Sequence, residues 1–396
     1  MERKKLALVL AGGGITGAVY ELGSLRALDD AFGETGSVNH FDLYVGTSAG
    51  SVVASFLANG IHPEIAVKAM MEGAKDLLNF QREDVYRPNY KFLFRTIWST
   101  LQALSLYPFR KIYDRGHARG HARGKISAES VLDLVEEKLP SGIFRLDHLE
   151  AYIRRILSAE GRANDFRQLK RELYIPATEL DTGERWVFGD EGLDEIPISQ
   201  AVAASSAIPI FFQPYRIQEH DFVDGAVKQI GNIDIAIAKG ASSVLVINPL
   251  VPIYNDRSRV CIPLRDGHCA RIIDRGLVSI FNQSARINLH DKLHLGLGYF
   301  QSKYPDVKIV LHEPSRLEAP MFLKNPMTFQ ARAELLDYGY ASMKAQLQKE
   351  WDRFHEFFGR HGIQLQEKGV FGDKGREAFT TPPPQEQEEV DLFHRG

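Results

Sequence analysis

Two glycine-rich segments near the start of the chain each follow an apolar run. The first reads AGGGITGAV over residues 11–19, after the apolar run 6–10. The second reads GTSAG over residues 46–50, after the apolar run 41–45. The first pattern predicts a strand that breaks into a glycine-rich loop opening a helix, and the second predicts a strand turning sharply into a helix with Ser48 at the turn. Because acyl transfer from a serine needs such an elbow and backbone N–H groups directed at the oxyanion, the segments predict serine-hydrolase chemistry.

A candidate base lies far downstream, in the segment Phe222-Val223-Asp224-Gly225-Ala226. The aspartate ends a short apolar run and precedes a glycine that lets the chain turn. A serine is a poor nucleophile at its ordinary pKa, so a base must accept its proton during the attack. A carboxylate can do this when it lies within hydrogen-bond reach, which makes Asp224 a candidate for the proton acceptor.

These three segments match the motifs of the patatin-like phospholipases, a family that the chain resembles over residues 5–250. The family combines a GGGxxG loop, a GxSxG elbow and a DGG or DGA motif, which stand here at residues 12–17, 46–50 and 224–226. Each motif alone is weak, whereas all three in this order and at these separations are specific. The resemblance implies an α/β fold of three α/β/α layers, with a largely parallel central sheet and helices on both faces.

The resemblance also implies a role for each matched residue. Ser48 is the expected nucleophile, Asp224 its general base in a Ser–Asp dyad, and Gly12, Gly13 and Gly14 the oxyanion hole. The supporting motif residues are Gly17, Gly46, Gly50, Gly225 and Ala226. The expected activity is that of a phospholipase A or lysophospholipase, which cleaves a glycerolipid or phospholipid through an acyl-enzyme and needs neither metal nor cofactor.

Two positions depart from the family pattern. Thr16 stands in a slot of the glycine loop where many members carry Arg or Lys, which puts in doubt any fixed cation that helps to bind phosphate. The segment Gly231-Asn232-Ile233-Asp234 stands where many members have proline. Neither departure touches the dyad.

The same motifs admit other interpretations. The glycine loop also satisfies GxGxxG, but a dinucleotide site expects an acidic residue closing the next strand, where this chain continues into the serine elbow. An α/β-hydrolase would add a histidine and place its elbow after several strands rather than after the second. The late histidines available for it are His290, His294, His312, His355 and His361. An acyltransferase using the same serine with an acceptor other than water, and a catalytically silent lipid-binding protein, remain alternatives.

The composition is that of an ordinary globular protein. The 396 residues are 44% hydrophobic and 25% charged, and the formal charge of -3 argues against a nucleic-acid binder. Two cysteines, Cys261 and Cys269, are too few for a disulfide scaffold or a closed zinc site, which favours a reduced compartment. The apolar run after the basic N-terminus is shorter than an export signal needs, and no run reaches transmembrane length. We therefore expect a cytoplasmic protein. The sequence does not determine its oligomeric state.

Strand-like and helical runs alternate along the chain, which favours a largely parallel sheet covered by helices. The strand-like runs are 6–11, 41–45, 173–177, 186–188, 244–248 and 307–311, and the helical runs are 18–28, 51–58, 65–78 and 128–138. The small-residue run 201–209 resembles the family's segment before the aspartate. We predict a catalytic domain over residues 1–260, a mainly helical extension packed on the core over 261–362, and a disordered tail over 363–396.

Residues 80–125 form a basic, aromatic-rich segment within the predicted catalytic domain. Ten Lys and Arg side chains face only three acidic ones between residues 82 and 125, with aromatic residues such as Phe94 and Trp98 interleaved. A stretch of this kind suits docking on an anionic bilayer by a protein that remains soluble. It therefore predicts peripheral contact with the inner face of a membrane, although a helical cap packed on the core explains the same pattern.

Overall fold

The fold is organised around a mixed eight-stranded sheet, seen in a computed structural model of the chain. The structure describes residues 4–72, 141–229, 231–256, 268–318 and 331–372, together with positions 87, 88, 94, 98, 262 and 321. The helix predicted over 128–138, most of the basic segment 80–125 and the tail beyond residue 372 lie outside the described residues.

The strands in the described residues are β1 (Lys5–Leu10), β2 (Leu43–Gly46), β3 (Arg87–Pro88), β4 (Gly142–Arg145), β5 (Glu172–Glu179), β6 (Arg185–Phe188), β7 (Ile210–Phe212), β8 (Tyr215–Ile217), β9 (His220–Asp224), β10 (Ala241–Ile247) and β11 (Lys308–His312). The α-helices there are α1 (Gly14–Phe32), α2 (Ala49–Ala58), α3 (Pro63–Glu72), α4 (Asp147–Leu157), α5 (Ile198–Ser205), α6 (Ile233–Ala238), α7 (Leu277–Lys303), α8 (Arg332–Lys349), α9 (Trp351–Gly359) and α10 (Glu367–Phe371).

The central sheet runs in the order β11-β10-β1-β2-β5-β9-β8, with β6 paired to β5. The strands from β11 to β5 are parallel, whereas β9, β8 and β6 join in antiparallel fashion. Strands β3, β4 and β7 form a separate small sheet. The prediction of an α/β fold with a largely parallel central sheet is therefore confirmed.

Helices cover both faces of the sheet because its central strands are apolar on both sides. On β1, Leu6 and Leu8 belong to the core shared with α1, α2 and α8, whereas Ala7 and Val9 belong to a second core shared with α6 and α7. The three α/β/α layers expected from the sequence are thus present. On the first face α1 and α8 pack closely, since a Cβ added to Gly23 of α1 would lie 2.1 Å from a carbonyl oxygen of α8.

The C-terminal part of the chain adds to this sheet as well as covering it. Strand β11 lies beyond residue 260 and pairs with β10, and α8 packs on α1. The first residues of the predicted tail include α10. Cys269 is disulfide-bonded, against the reduced state that we expected of the cysteines. In the described parts of the chain, no helix combines the length and the apolar character needed to cross a bilayer.

Candidate active site

Ser48 occupies the sharp turn between β2 and α2. Its backbone has φ 55° and ψ -133°, a conformation that is costly for a residue with a side chain and that clusters at functional sites. Small neighbours permit this turn: a Cβ on Gly46 would lie 2.6 Å from the Cβ of Ala54, and one on Gly50 would lie 2.7 Å from the carbonyl oxygen of Leu10. The GTSAG segment thus folds as a strained strand-to-helix elbow.

The glycine-rich loop after β1 lies directly against this elbow. Gly12, Gly13 and Gly14 have φ values of 80°, 118° and 68°, which residues with side chains rarely adopt. A Cβ on Gly12 would lie 2.3 Å from the carbonyl oxygen of Thr47, and one on Gly17 would lie 2.3 Å from that of Gly12. The loop therefore needs glycine both for its own conformation and for its close approach to the elbow.

The N–H groups of this loop differ in what they can do. That of Gly12 donates to Oε1 of Glu21 at 2.7 Å and is therefore not available to an oxyanion. Across the described residues, those of Gly13 and Gly14 donate to no protein group. The buried Thr16 hydroxyl donates back to the carbonyl oxygen of Gly13 at 3.4 Å. The Thr16 side chain, at the position that departs from the family pattern, thus points into the loop. Of the three predicted oxyanion donors, the N–H groups of Gly13 and Gly14 remain available.

Asp224 reaches the elbow from a strand that runs against its neighbour. Strand β9 is antiparallel to β5, and Asp224 pairs with Ala177 in the C-terminal half of β5. Strand β2 pairs with β5 nearer its start, with Val45 opposite Tyr174, so the chain just beyond β2 lies level with Asp224. This antiparallel return brings the third motif to the place where the other two already meet.

The Asp224 carboxylate is buried and hydrogen-bonded. It accepts a hydrogen bond from the backbone N–H of Ala226 at 2.8 Å, and the Ser48 hydroxyl lies near enough to influence its pKa. Burial raises the pKa of Asp224 to about 6, while the Ser48 hydroxyl and the Ala226 N–H act in the opposite direction. Gly225 fits beside it because a Cβ there would lie 2.3 Å from the carbonyl oxygen of Pro176. At neutral pH the serine hydroxyl therefore faces an ionised carboxylate, an arrangement that can activate a nucleophile.

Two further side chains hold the elbow in place. The backbone N–H of Ser48 donates to Oγ of Ser205 at 2.9 Å, and that hydroxyl donates in turn to the carbonyl oxygen of Pro176 at 2.7 Å. The Asn232 side chain donates from Nδ2 to Oγ1 of Thr47 at 3.0 Å. Neither residue is marked as functional by the sequence motifs, since a single polar residue has no diagnostic spacing.

Glu21 on α1 is a third residue that the motifs do not mark. Its side chain is completely buried, and its Oε2 has no hydrogen-bond partner in the described structure. Burial raises the pKa of the Glu21 carboxyl to about 8, although the hydrogen bond from Gly12 acts to lower it. The group that anchors the glycine loop is therefore a carboxylic acid that keeps its proton at neutral pH.

An apolar cavity opens beside Ser48. Its empty volume is about 840 Å³, which includes space open to solvent. The lining residues are Gly14, Ile15, Ala18, Leu22, Ser48, Ala49, Val52, Val53, Phe56, Ala66, Leu146, Leu149, Tyr152, Ser206, Ile208 and Phe212. Because so few of these side chains are polar, the cavity suits the hydrocarbon part of a substrate.

The late histidines that could complete a Ser–Asp–His triad lie elsewhere. The described residues include no histidine that hydrogen-bonds to the Asp224 carboxylate. Of the five late histidines, His290 and His294 lie on α7 beside Glu313, and His312 is the last residue of β11, where its side chain contacts Tyr20. His355 lies on α9, and His361 lies just after it. The arrangement of an α/β-hydrolase is therefore not formed by these histidines.

Comparison with known proteins agrees with the motifs. The family model described as patatin-like phospholipase matches residues 8–237. Among solved structures the chain is similar to VipD from Legionella pneumophila, with 17% identity, a TM-score of 0.36, and coverage of 88% of this chain and 67% of that one. It is also similar to the type III effector ExoU of Pseudomonas aeruginosa, with 14% identity, a TM-score of 0.34, and coverage of 87% and 53%. The chain thus spans about half the length of ExoU, and no curated protein matches it.

Proposed function

This chain belongs to the patatin-like phospholipase family, as its motifs predicted, and on that premise we propose that it hydrolyses carboxylic esters of glycerolipids. Ser48 is the proposed nucleophile and Asp224 the proposed general base. The observation that carries this proposal is the buried Asp224 carboxylate beside Ser48, which stands at a strained elbow next to an apolar cavity. Phospholipids and lysophospholipids are the proposed substrates.

In the proposed acylation step, Oγ of Ser48 attacks the ester carbonyl carbon while its proton passes to Asp224. The tetrahedral intermediate then collapses, the bond to the leaving alcohol breaks, and that alcohol takes the proton from Asp224. In deacylation a water molecule gives a proton to Asp224 and attacks the acyl-enzyme. Release of Ser48 with its proton restored yields the free fatty acid.

We assign the oxyanion hole to the N–H groups of Gly13 and Gly14. Both lie at the N-terminus of α1, whose macrodipole also favours negative charge. Gly12 has a different task in this proposal, because its N–H is bound to Glu21. The loss of one oxyanion donor in other hydrolases costs about 10²–10³ in kcat, so the position of this loop should matter to the rate.

The proposed place for the acyl chain is the cavity beside Ser48. A bound chain would lie along the apolar side chains of α2 and α4, such as Val52 and Leu149, while its ester lies at the elbow. Contact with an anionic membrane through residues 80–125 is proposed from the sequence. Of the aromatic residues in that segment, the structure describes Phe94 and Trp98, which are exposed and stack with ring centroids 6.3 Å apart.

The test is fatty-acid release from a panel of phospholipids, lysophospholipids and neutral glycerides, with the products identified by mass spectrometry. Ser48→Ala and Asp224→Asn are each expected to abolish release, because one removes the nucleophile and the other its base. Ser55→Ala is the matched control: it removes another buried serine hydroxyl from α2, one that bonds only to the backbone of that helix.

The outcomes separate the hydrolase from its alternatives. Full release by Ser48→Ala in a correctly folded protein would refute the proposal. Product that moves from free fatty acid to an added alcohol or lysolipid would identify an acyltransferase. A wild-type protein that neither releases fatty acid nor reacts with a fluorophosphonate probe would be a catalytically silent lipid-binding protein.

A further inference from the structure

Two histidines of α7 and a glutamate after β11 bring three metal-binding atoms together. Nε2 of His294 lies 2.9 Å from Oε2 of Glu313, and Nε2 of His290 lies 3.7 Å from the same oxygen. The histidines are four residues apart on one helix, which places their side chains on one face. One atom from each of the three residues lies within 4.8 Å of the other two. We infer that this group, the α7 cluster, binds a divalent cation of the zinc class.

The distances within the α7 cluster fit a tetrahedral site. Zinc bonds of about 2.0–2.2 Å to nitrogen and oxygen place neighbouring ligand atoms about 3.3 Å apart. The observed 2.9 Å and 3.7 Å lie on either side of that value, so small rotations of the side chains would admit the ion. Three protein ligands leave the fourth position to water, and the side chain of His294, 37% exposed, gives solvent access to it.

Neighbouring groups orient the ligands as the outer contacts of a metal site do. Asn248 donates from Nδ2 to Oε1 of Glu313 at 2.6 Å, while Oε2 of the same carboxylate faces the histidines. Behind the other ligand, Oδ1 of Asp291 lies 3.6 Å from Nδ1 of His290. A carboxylate behind a metal-bound histidine commonly fixes the tautomer and the orientation of the ring.

An ordinary ion pair explains less of this arrangement. His294 and Glu313 alone would form such a pair, but the His290 side chain is only 10% exposed, and its Nε2 lies 3.7 Å from Oε2 of Glu313, beyond hydrogen-bond distance. Buried polar atoms are seldom left without partners. A cation bound at Nε2 of His290 accounts for an imidazole in this position.

A bound cation would fasten α7 to the sheet. Of the residues described on α7, few are buried, and apolar side chains such as Leu277 and Leu295 are 81% and 76% exposed. Glu313 and its partner Asn248 follow β11 and β10, so the α7 cluster would join the helix to the ends of these two strands. Ser48 follows β2 and Asp224 ends β9, so neither residue belongs to the α7 cluster. The inference therefore does not depend on hydrolase activity.

The first test is a Zn²⁺ titration of the full 396-residue chain after chelator treatment, with binding measured by calorimetry. The wild type is expected to bind one more Zn²⁺ than His294→Ala or Glu313→Gln, or to bind it at least tenfold more tightly. The matched control is the double variant His117→Ala/His121→Ala, which removes another histidine pair with the same spacing and should retain that ion. Co²⁺ should give the visible absorption of a tetrahedral site in the wild type and the control.

Hydrogen exchange on the wild type alone keeps the test decisive if a variant folds poorly. Added Zn²⁺ should slow amide exchange along α7 relative to the chelator-treated protein. Equal stoichiometry and affinity in the wild type and both cluster variants would overturn the inference. So would α7 exchange that is unchanged by Zn²⁺, or a wild type that binds no ion.

Discussion

Glu21 offers a direct test of how the buried site is built. Its carboxyl has a usual pKa of 4.5, which burial raises to about 8 in the folded chain. At pH 7 the folded protein therefore keeps this proton, whereas the unfolded chain has released it. An acid whose pKa is raised on folding favours the folded state most below its unfolded pKa, and the protein loses stability as the pH rises toward the folded pKa.

The size of the effect follows from the interval between the two pKa values. Each pH unit corresponds to about 1.4 kcal/mol, so the free energy of unfolding should fall by about 3 kcal/mol between pH 4.5 and pH 7 because of Glu21 alone. A further loss of about 1 kcal/mol should follow by pH 8, after which the contribution levels off. These are large changes for a domain of ordinary stability.

The perturbation that isolates this term is Glu21→Gln. The amide keeps the shape of the protonated acid and a carbonyl oxygen for the Gly12 N–H, but it does not titrate. The variant should match the wild type near pH 5 and exceed its free energy of unfolding by about 2.5 kcal/mol at pH 7. Because the loop keeps its anchor, hydrolytic activity should survive.

The assay is urea unfolding at pH 5, 6, 7 and 8, with tryptophan fluorescence used to monitor the transition. Glu219→Gln serves as the control, because it removes an exposed carboxylate from the turn between β8 and β9 and should add no pH-dependent difference of this size. If the difference between the wild type and Glu21→Gln stays constant from pH 5 to pH 8, Glu21 does not hold its proton in the folded state. A protonated Glu21 would then not be the group that anchors the glycine loop.

Two other predictions concern catalysis and membranes. As the proposed general base, Asp224 must be ionised to accept a proton, and its pKa is raised to about 6, so kcat/KM should fall about tenfold per pH unit below pH 6; a profile that is still flat at pH 5 would contradict this proposed role. Replacing the exposed Phe94 and Trp98 with serine should reduce co-sedimentation with anionic vesicles several-fold while leaving hydrolysis of a soluble ester unchanged. Unaltered vesicle binding by that variant would contradict membrane contact through these residues.

The sequence predicted best those features that depend on local backbone geometry. Short motifs predict the positive φ values of the glycine loop and of Ser48, since few residue types tolerate such values. Strands buried on both faces, such as β1 and β10, stand out as apolar runs. The ends were less well placed: α1 begins at Gly14 rather than at residue 18, because the loop glycines themselves open the helix.

Features that depend on contacts between distant segments were not predictable in this way. Glu21 and Ser205 act on the loop and the elbow through single hydrogen bonds, and the bond from Ser48 to Ser205 spans 157 residues. A polar residue on an apolar helix has no periodic signal that reveals such a partner. The short strands β7 and β8 were not predicted for a related reason, because three residues are too few to show an alternating pattern.

The position of β1 in the sheet also has a consequence for the order of assembly during synthesis. Lys5 pairs with Ala241, so β1 gains its second neighbour only after most of the chain has been made. Until β10 emerges from the ribosome, β1 can pair with β2 alone and is an apolar edge strand, the kind of edge that promotes aggregation. The nascent chain thus holds both residues of the proposed dyad before β1 is paired on both sides. A fragment ending between Asp224 and β10 should therefore be poorly soluble, although it contains all three motifs of the proposed site.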